Sequence, residues 1–140
     1  MGGALQHLRV LDATDLRGAL AGRLLADLGA DVIKLAVAAD ERDRLRPPFA
    51  GQQAGVDRSL PFLYRHANKR GAVVDHRSVE GRARFDRLLA GADVLIENLA
   101  RGEREHWAVH AEALRERHPH LVHVTISDFG SSGPRAGWRL

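Results

Sequence analysis

The sequence predicts an α/β domain with a mostly parallel sheet of about five strands joined by crossover helices. Two observations carry this. Short apolar runs alternate along the chain with stretches of helical periodicity, and the first such unit, Leu8 to Leu35, reads as strand, helix, strand. Two strands joined through a helix are almost always parallel with a right-handed crossover, so later elements build outward from this pair.

In that unit Leu8, Val10 and Leu11 form an apolar run that stops at Asp12, and Val32, Ile33 and Leu35 form another after Gly29. Between them Leu16, Leu20, Leu24 or Leu25, and Leu28 recur at helical spacing and mark an amphipathic helix, with Thr14 or Asp15 as its cap and Gly29 as its stop. Residues 36–59, with Pro47-Pro48, Gly51 and Gly55 and little periodicity, read as a long surface excursion. Leu60 to His66 suits a turn or two of helix that carries Phe62, Leu63 and Tyr64 into the core, followed by a tight basic corner at Asn68 to Gly71. A third strand, Ala72 to Val74, runs into Asp75-His76-Arg77. Ser78 then caps a helix over Val79 to Leu89, with Phe85, Leu88 and Leu89 buried and Gly91 as the stop. Asp93 to Ile96 is a fourth strand, Val109 to Arg117 a helix ending before Pro119, and Leu121 to Ser127 a fifth strand. No crossover helix follows that strand, and a parallel strand needs both faces covered. The 140 residues are therefore expected to be one domain, and an incomplete one.

Composition narrows the function classes. The chain has no cysteine, which excludes a disulfide framework and thiolate metal sites. No apolar run approaches the roughly 20 residues of a membrane helix, and the N-terminal ten residues lack the apolar core of a secretory signal, so a cytoplasmic protein with no membrane partner is expected. The net charge is +3, but the arginines interleave with acids in ERDRLR, EGRARFDR and EALRER, as on solvated helix faces, so no nucleic-acid partner is expected. Eight histidines include the pairs His106/His110 and His118/His120, but no acid completes a ligand set, and no metal is expected. The first turn lacks Gly-x-Gly-x-x-Gly, and neither a P-loop nor a Gly-x-Ser-x-Gly elbow occurs.

If the strands are parallel, five segments meet at one edge: Thr14 to Gly18, the start of the excursion, Val74 to Arg77, Asn98 to Gly102, and Asp128 to Gly133. Each brings a glycine, an amide, a hydroxyl or an arginine, and such edges bind ligands in open parallel sheets. Arginine forks and backbone amides suit a phosphorylated ligand.

The order of motifs along the chain carries a resemblance. Val10-Leu11-Asp12, then residues 24–34 (LLADLGADVIK), Asn68-Lys69-Arg70, Glu80-Gly81-Arg82, residues 92–98 (ADVLIEN) and residues 126–134 (ISDFGSSGP) resemble the N-terminal part of the class III coenzyme A transferases. This CaiB/BaiF family includes formyl-CoA and carnitine CoA-transferases and the α-methylacyl-CoA racemases. The resemblance implies a Rossmann-like domain that binds CoA as a substrate, with no resident cofactor. It implies an enzyme that moves CoA between an acyl-CoA and a carboxylic acid, and interlocked homodimers in the family. A fragment of such a protein is expected to associate through its uncovered sheet. Carried over by position, the CoA contacts are Leu16 and Arg17, Val74, Asp75, His76 and Arg77, Asn98, Leu99 and Ala100, and Phe129, Gly130 and Ser131.

The chain departs from the family pattern where Ala-Gly-Pro is usual (Arg17-Gly18-Ala19), where an acid follows the second strand (Ala36), and where an arginine follows the Asn98 turn (His106). In these transferases an aspartate attacks the thioester, passes through a mixed anhydride to an aspartyl-CoA thioester, and hands CoA to the acceptor. That aspartate is expected beyond Leu140, as are the proton-exchanging residues of the racemases. The 140 residues are thus expected to hold no catalytic residue and to be inactive alone. Asp12, Asp75 and Asp128 read as caps or turn formers. A racemase-type segment and a non-catalytic binding module are the alternatives.

Overall fold

The computed structural model describes residues 3–36, 42–130 and 132–138. All five strands are parallel and lie in the order β3-β2-β1-β4-β5. They are β1 (Arg9–Ala13), β2 (Asp31–Ala36), β3 (Arg70–Val73), β4 (Val94–Glu97) and β5 (Val122–Thr125). Each falls within about two residues of its expected place. Alternation sorts their side chains between two faces. Leu11, Ala13, Ile33, Leu35 and Leu95 face α3 (Val79–Ala90), α4 (Arg101–Trp107) and α5 (Ala111–Arg117), where they meet Phe85, Leu89, Trp107, Val109 and Leu114. Val10, Val32 and Ile96 pack on the other face with Ala26 of α1 (Ala19–Asp27) and with Ala30.

Helix α1 departs from its expected form in two ways. It begins at Ala19 because Asp15 builds a separate turn first: its carbonyl accepts from the Gly18 and Ala19 amides and its carboxylate from Arg17 N. Its buried residues are Ala19, Gly22 and Ala26, whereas Leu20, Leu24 and Leu28 are 43%, 55% and 54% exposed. The helix lies close to the sheet on small residues, and Leu20, Leu24 and Leu28 point outward, whereas Leu16 is buried and Leu25 packs partly against the second core cluster. At Gly22 a Cβ would stand 2.4 Å from Asp12 Oδ2, so only glycine fits over that carboxylate.

After β2, 3₁₀ turns at Arg42–Leu45 and Ala50–Gln52 and an antiparallel bridge from Phe49 to Ser59 lead into α2 (Leu60–Arg65). Ser59, 1% exposed, caps α2 by accepting from Phe62 N. The helix carries only Phe62 into the core. Leu63 and Tyr64 are exposed, because six residues of helix bury one side, and Tyr64 instead lies under the Arg23 guanidinium.

Ser78 caps α3 as expected, accepting from Gly81 N at 2.9 Å. Between β4 and β5 the chain forms two helices where one was expected. Ala108 turns left-handed (φ 52°) after α4, and His110 starts α5. Among the described residues no helix follows β5, and its Val122 and Val124, in register with Val94 and Ile96, are 58% and 40% exposed. No described helix is long and apolar enough to cross a membrane.

Candidate functional site

The strand order reverses between β1 and β4, and the crevice outside their carboxyl ends is where open α/β sheets take ligands. A cleft of about 840 Å³ opens there. Its base is Ala13 to Asp15 after β1, Lys34 to Ala36 of β2, His76 and Arg77 after β3, and Asn98 to Ala100 after β4; Glu103, His106 and Trp107 of α4 form one wall, and Arg42, Asp43 and Arg46 another. Asn98 and Leu99 also line a second cleft of about 290 Å³, with Arg17, Arg104, Ser127 to Gly130 and Ala136 to Trp138. These two residues form a ridge between the clefts.

Hydrogen bonds fix the turns around the crevice. Asp15 N donates to Asn98 Oδ1 at 3.0 Å and Asn98 Nδ2 returns a bond to Asp15 Oδ1 at 2.7 Å, joining the β1 and β4 turns. Burial opposes ionisation of Asp15, but Arg17 and Asn98 together hold its carboxyl below the ordinary value. Most edge amides already have an acceptor. Thr14 N donates to Asp12, Leu16 N to Asp43, Arg17 N to Asp15, Arg77 N to Asp75, Leu99 N to Glu97, Ala100 N to Glu103 and Gly130 N to Ser127 Oγ. The basic side chains that line the larger cleft are Lys34, Arg42, Arg46 and Arg77; Lys34 Nζ donates to the Leu35 carbonyl at 2.7 Å and Arg46 pairs with Asp43 at 3.1 Å.

Two buried carboxylates anchor this edge from below. Asp12, fully buried, takes Lys69 Nζ at 2.6 Å, and Lys69 also donates to the Ala19 carbonyl at 2.7 Å and lies 3.2 Å from His66 Nδ1. Burial, aided by the Lys69 ammonium, pushes His66 down to about 3, so this imidazole is neutral. Glu97 accepts from Leu99 N and Thr125 Oγ1, both at 2.7 Å, and pairs with Arg104 at 3.1 Å, with His123 Nε2 3.4 Å away. Burial raises its pKa, yet the His123, Thr125, Leu99 and Arg104 partners outweigh that and lower it.

Of the residues expected at the site, His76, Arg77, Asn98, Leu99 and Ala100 line the larger cleft, and Arg17, Phe129 and Gly130 join Asn98 and Leu99 at the smaller one. Ser131 lies outside the described residues. Leu16 and Val74 are buried, 6% and 0% exposed. Leu16 offers no free backbone group either, its amide being held by Asp43 and its carbonyl by Arg65. Asp75 accepts from Arg77 N at 3.1 Å and does not line either cleft. Arg17 pairs with Asp15 at 2.9 Å and with Asp128 at 3.3 Å, tying the β1 turn to the segment after β5. Lys34, Arg42, Arg46, Glu103 and Trp107 were not among the expected contacts. The end of β2 could have been read from parallel order, but Glu103 and Trp107 could not be placed while α4 went unrecognised. Among the described residues no group of three or more histidines and carboxylates is placed to hold a metal.

Comparison with known proteins adds to this geometry. The family model described as CoA-transferase family III matches residues 5–139. The chain is 36% identical over 138 residues to subunit BbsE of the succinyl-CoA:(R)-benzylsuccinate CoA-transferase of Thauera aromatica, covering 99% of this chain and 34% of that protein. It is 38% identical over 138 residues to the succinate–glutarate CoA-transferase of Agrobacterium fabrum, covering 94% and 34%. A CaiB/BaiF family protein from Brucella suis shares the fold with a TM-score of 0.83 at 34% identity, over 98% of this chain and 36% of that one. The chain spans about a third of the length of the curated relatives it matches. Two of the relatives, the one from Thauera aromatica and the succinyl-CoA–L-malate CoA-transferase alpha subunit of Chloroflexus aurantiacus, are named as subunits.

Proposed function

Because the chain belongs to CoA-transferase family III, we propose that its strand edge holds coenzyme A or an acyl-CoA for a reaction that passes CoA between carboxylic acids. The observation that carries this is the cleft at the switch point, where Lys34, Arg42, Arg46 and Arg77 converge from three separate segments and outnumber the carboxylates Asp15, Asp43 and Glu103. Guanidinium forks bind phosphate oxygens in pairs, so this cleft receives the phosphorylated end of the ligand. The thiol arm crosses the ridge of Asn98 and Leu99 toward the smaller cleft, where Arg17, Phe129 and Gly130 stand.

The attacking carboxylate is assigned to a segment outside these residues, since the chain's own edge aspartates hold the fold. Asp12 is sealed against Lys69, Asp75 caps the turn before α3, and Asp128 pairs with Arg17. A carboxylate in such a reaction must reach the thioester carbon and then leave again, which the buried, ion-paired Asp12 cannot do. Chains are proposed to associate, with the bare face of β5 as one contact.

Calorimetry with CoA and with 3′-dephospho-CoA tests the reading. A charged hydrogen bond to phosphate is worth about 1.5–3 kcal/mol, so Arg77→Ala or Arg46→Ala weakens CoA binding by about tenfold or more. Absence of binding to both ligands, or binding that neither substitution changes, overturns it.

A further inference from the structure

We propose that Arg104 is a specificity-determining residue of the smaller cleft: its guanidinium, braced on the buried Glu97, receives a carboxylate at the far end of the acyl group. A dicarboxylic acyl-CoA is then held in preference to the monocarboxylic one of equal length. This rests on the reading that the thiol arm crosses the ridge of Asn98 and Leu99 into that cleft.

The arginine is fixed at one nitrogen and open at two. Arg104 Nε lies 3.1 Å from Glu97 Oε1 and 3.3 Å from Oε2, whereas neither Nη has a partner among the described residues and neither is sealed in the interior. The side chain is 22% exposed, and the residue lines the smaller cleft. Two open Nη groups of one planar guanidinium meet a carboxylate through parallel N–H bonds.

Glu97 is a firm brace. None of its side chain is exposed, and it also accepts from Leu99 N and Thr125 Oγ1, both at 2.7 Å. Burial opposes its ionisation, but His123, Thr125, Leu99 and Arg104 keep it an anion. Leu99 belongs to the ridge, so one buried carboxylate sets both the path of the arm and the place of the guanidinium. An arginine held in this way has less side-chain freedom to lose when a ligand arrives.

The rest of the cleft suits a short acid. Its volume of about 290 Å³ is about a third of the larger cleft's 840 Å³, and Leu99, Ile126, Phe129 and Trp138 give methylene groups an apolar wall. Asp128, a carboxylate on the same wall, is held by Arg17 at 3.3 Å, and Arg17 also pairs with Asp15 at 2.9 Å. Because Glu97 offsets the charge of Arg104, the gain comes from hydrogen bonds, and a preference of about tenfold is expected.

Calorimetry compares succinyl-CoA with butyryl-CoA, which carries a methyl group where the other carries the carboxylate. The unsubstituted chain is expected to hold succinyl-CoA about tenfold more tightly. Arg104→Met strands Glu97, so the variant of choice is Arg104→Lys, which keeps a cation on Glu97 but has no second nitrogen beyond it. It is expected to bring the ratio of the two affinities to about one. An arginine that only braced Glu97 would lower the melting temperature on substitution and leave that ratio intact. A ratio near one in the unsubstituted chain overturns the inference and leaves the CoA reading standing, and a preference that survives Arg104→Lys does the same. If CoA and both thioesters fail to bind, the CoA reading falls and free succinate, followed by NMR, decides. A saturable shift of the Trp138 indole N–H resonance that Arg104→Lys abolishes upholds the carboxylate site, and its absence overturns it.

Discussion

Lys69 Nζ sits against Asp12 Oδ2 with 1% of its own side chain exposed and none of the aspartate's, so Lys69→Met strands a carboxylate inside the domain. Removing one partner of a buried pair costs about 3–5 kcal/mol, whereas replacing both by apolar groups of similar volume costs far less. In denaturant titrations Lys69→Met is therefore expected to be much less stable than the double variant Asp12→Leu/Lys69→Met. Gly22→Ala drives a methyl into the same carboxylate and belongs with the destabilised set. His66 adds a pH dependence of definite sign. Its native pKa of about 3 lies below the ordinary 6.5, so between these values the unfolded chain binds the extra proton. Stability is full above about pH 6.5 and is lost as pH falls toward the native value. Unfolding midpoints measured across this range should drop, and His66→Gln should flatten the drop; an unchanged slope would place the titrating group elsewhere.

Helix α1 shows how periodicity can be read correctly and assigned to the wrong face. Leu20, Leu24 and Leu28 do repeat at helical spacing, but Ala19, Gly22 and Ala26 repeat at it too, and the second set packs on the sheet. Small residues win because the helix must approach the Asp12–Lys69 pair closely, and nothing in the local pattern announces that pair. Leu24→Gln and Leu28→Gln are thus expected to change stability by no more than about 0.5 kcal/mol, while Ala26→Leu, facing the sheet, costs about 1–3 kcal/mol. Thermal melts of the three variants separate the two faces. The strands were more legible, since short apolar runs between turn residues leave little choice, and Ser78 before Val79 marked α3 by its capping chemistry. Helix α4 was missed because its seven residues, RGEREHW, are nearly all polar outside Trp107, and its main local signal is Glu103 capping the Ala100 amide. With α4 went one wall of the larger cleft.

Across the whole molecule, the sheet is two unequal halves, β3-β2-β1 and β4-β5, that meet along the β1–β4 ladder. The second half is narrower, and Val122 and Val124 leave its outer strand half bare. Concentration-dependent light scattering is expected, reduced by Val122→Thr/Val124→Thr, because exposed apolar strand surface drives association. A monodisperse monomer at high concentration would show that face to be inert. Amide exchange should be slowest in β1 and β4 and faster in β5, which has a neighbour on one side only. The reciprocal bonds between Asp15 and Asn98 span that same β1–β4 seam at its carboxyl end. Their consequence is kinetic. Both turns are already ordered before any ligand arrives, so encounter need not wait for a loop to settle, and the association rate should follow ionic strength and diffusion alone. Asn98→Ala, which unfastens the seam, should slow capture of CoA in stopped-flow measurements by making turn ordering part of the event.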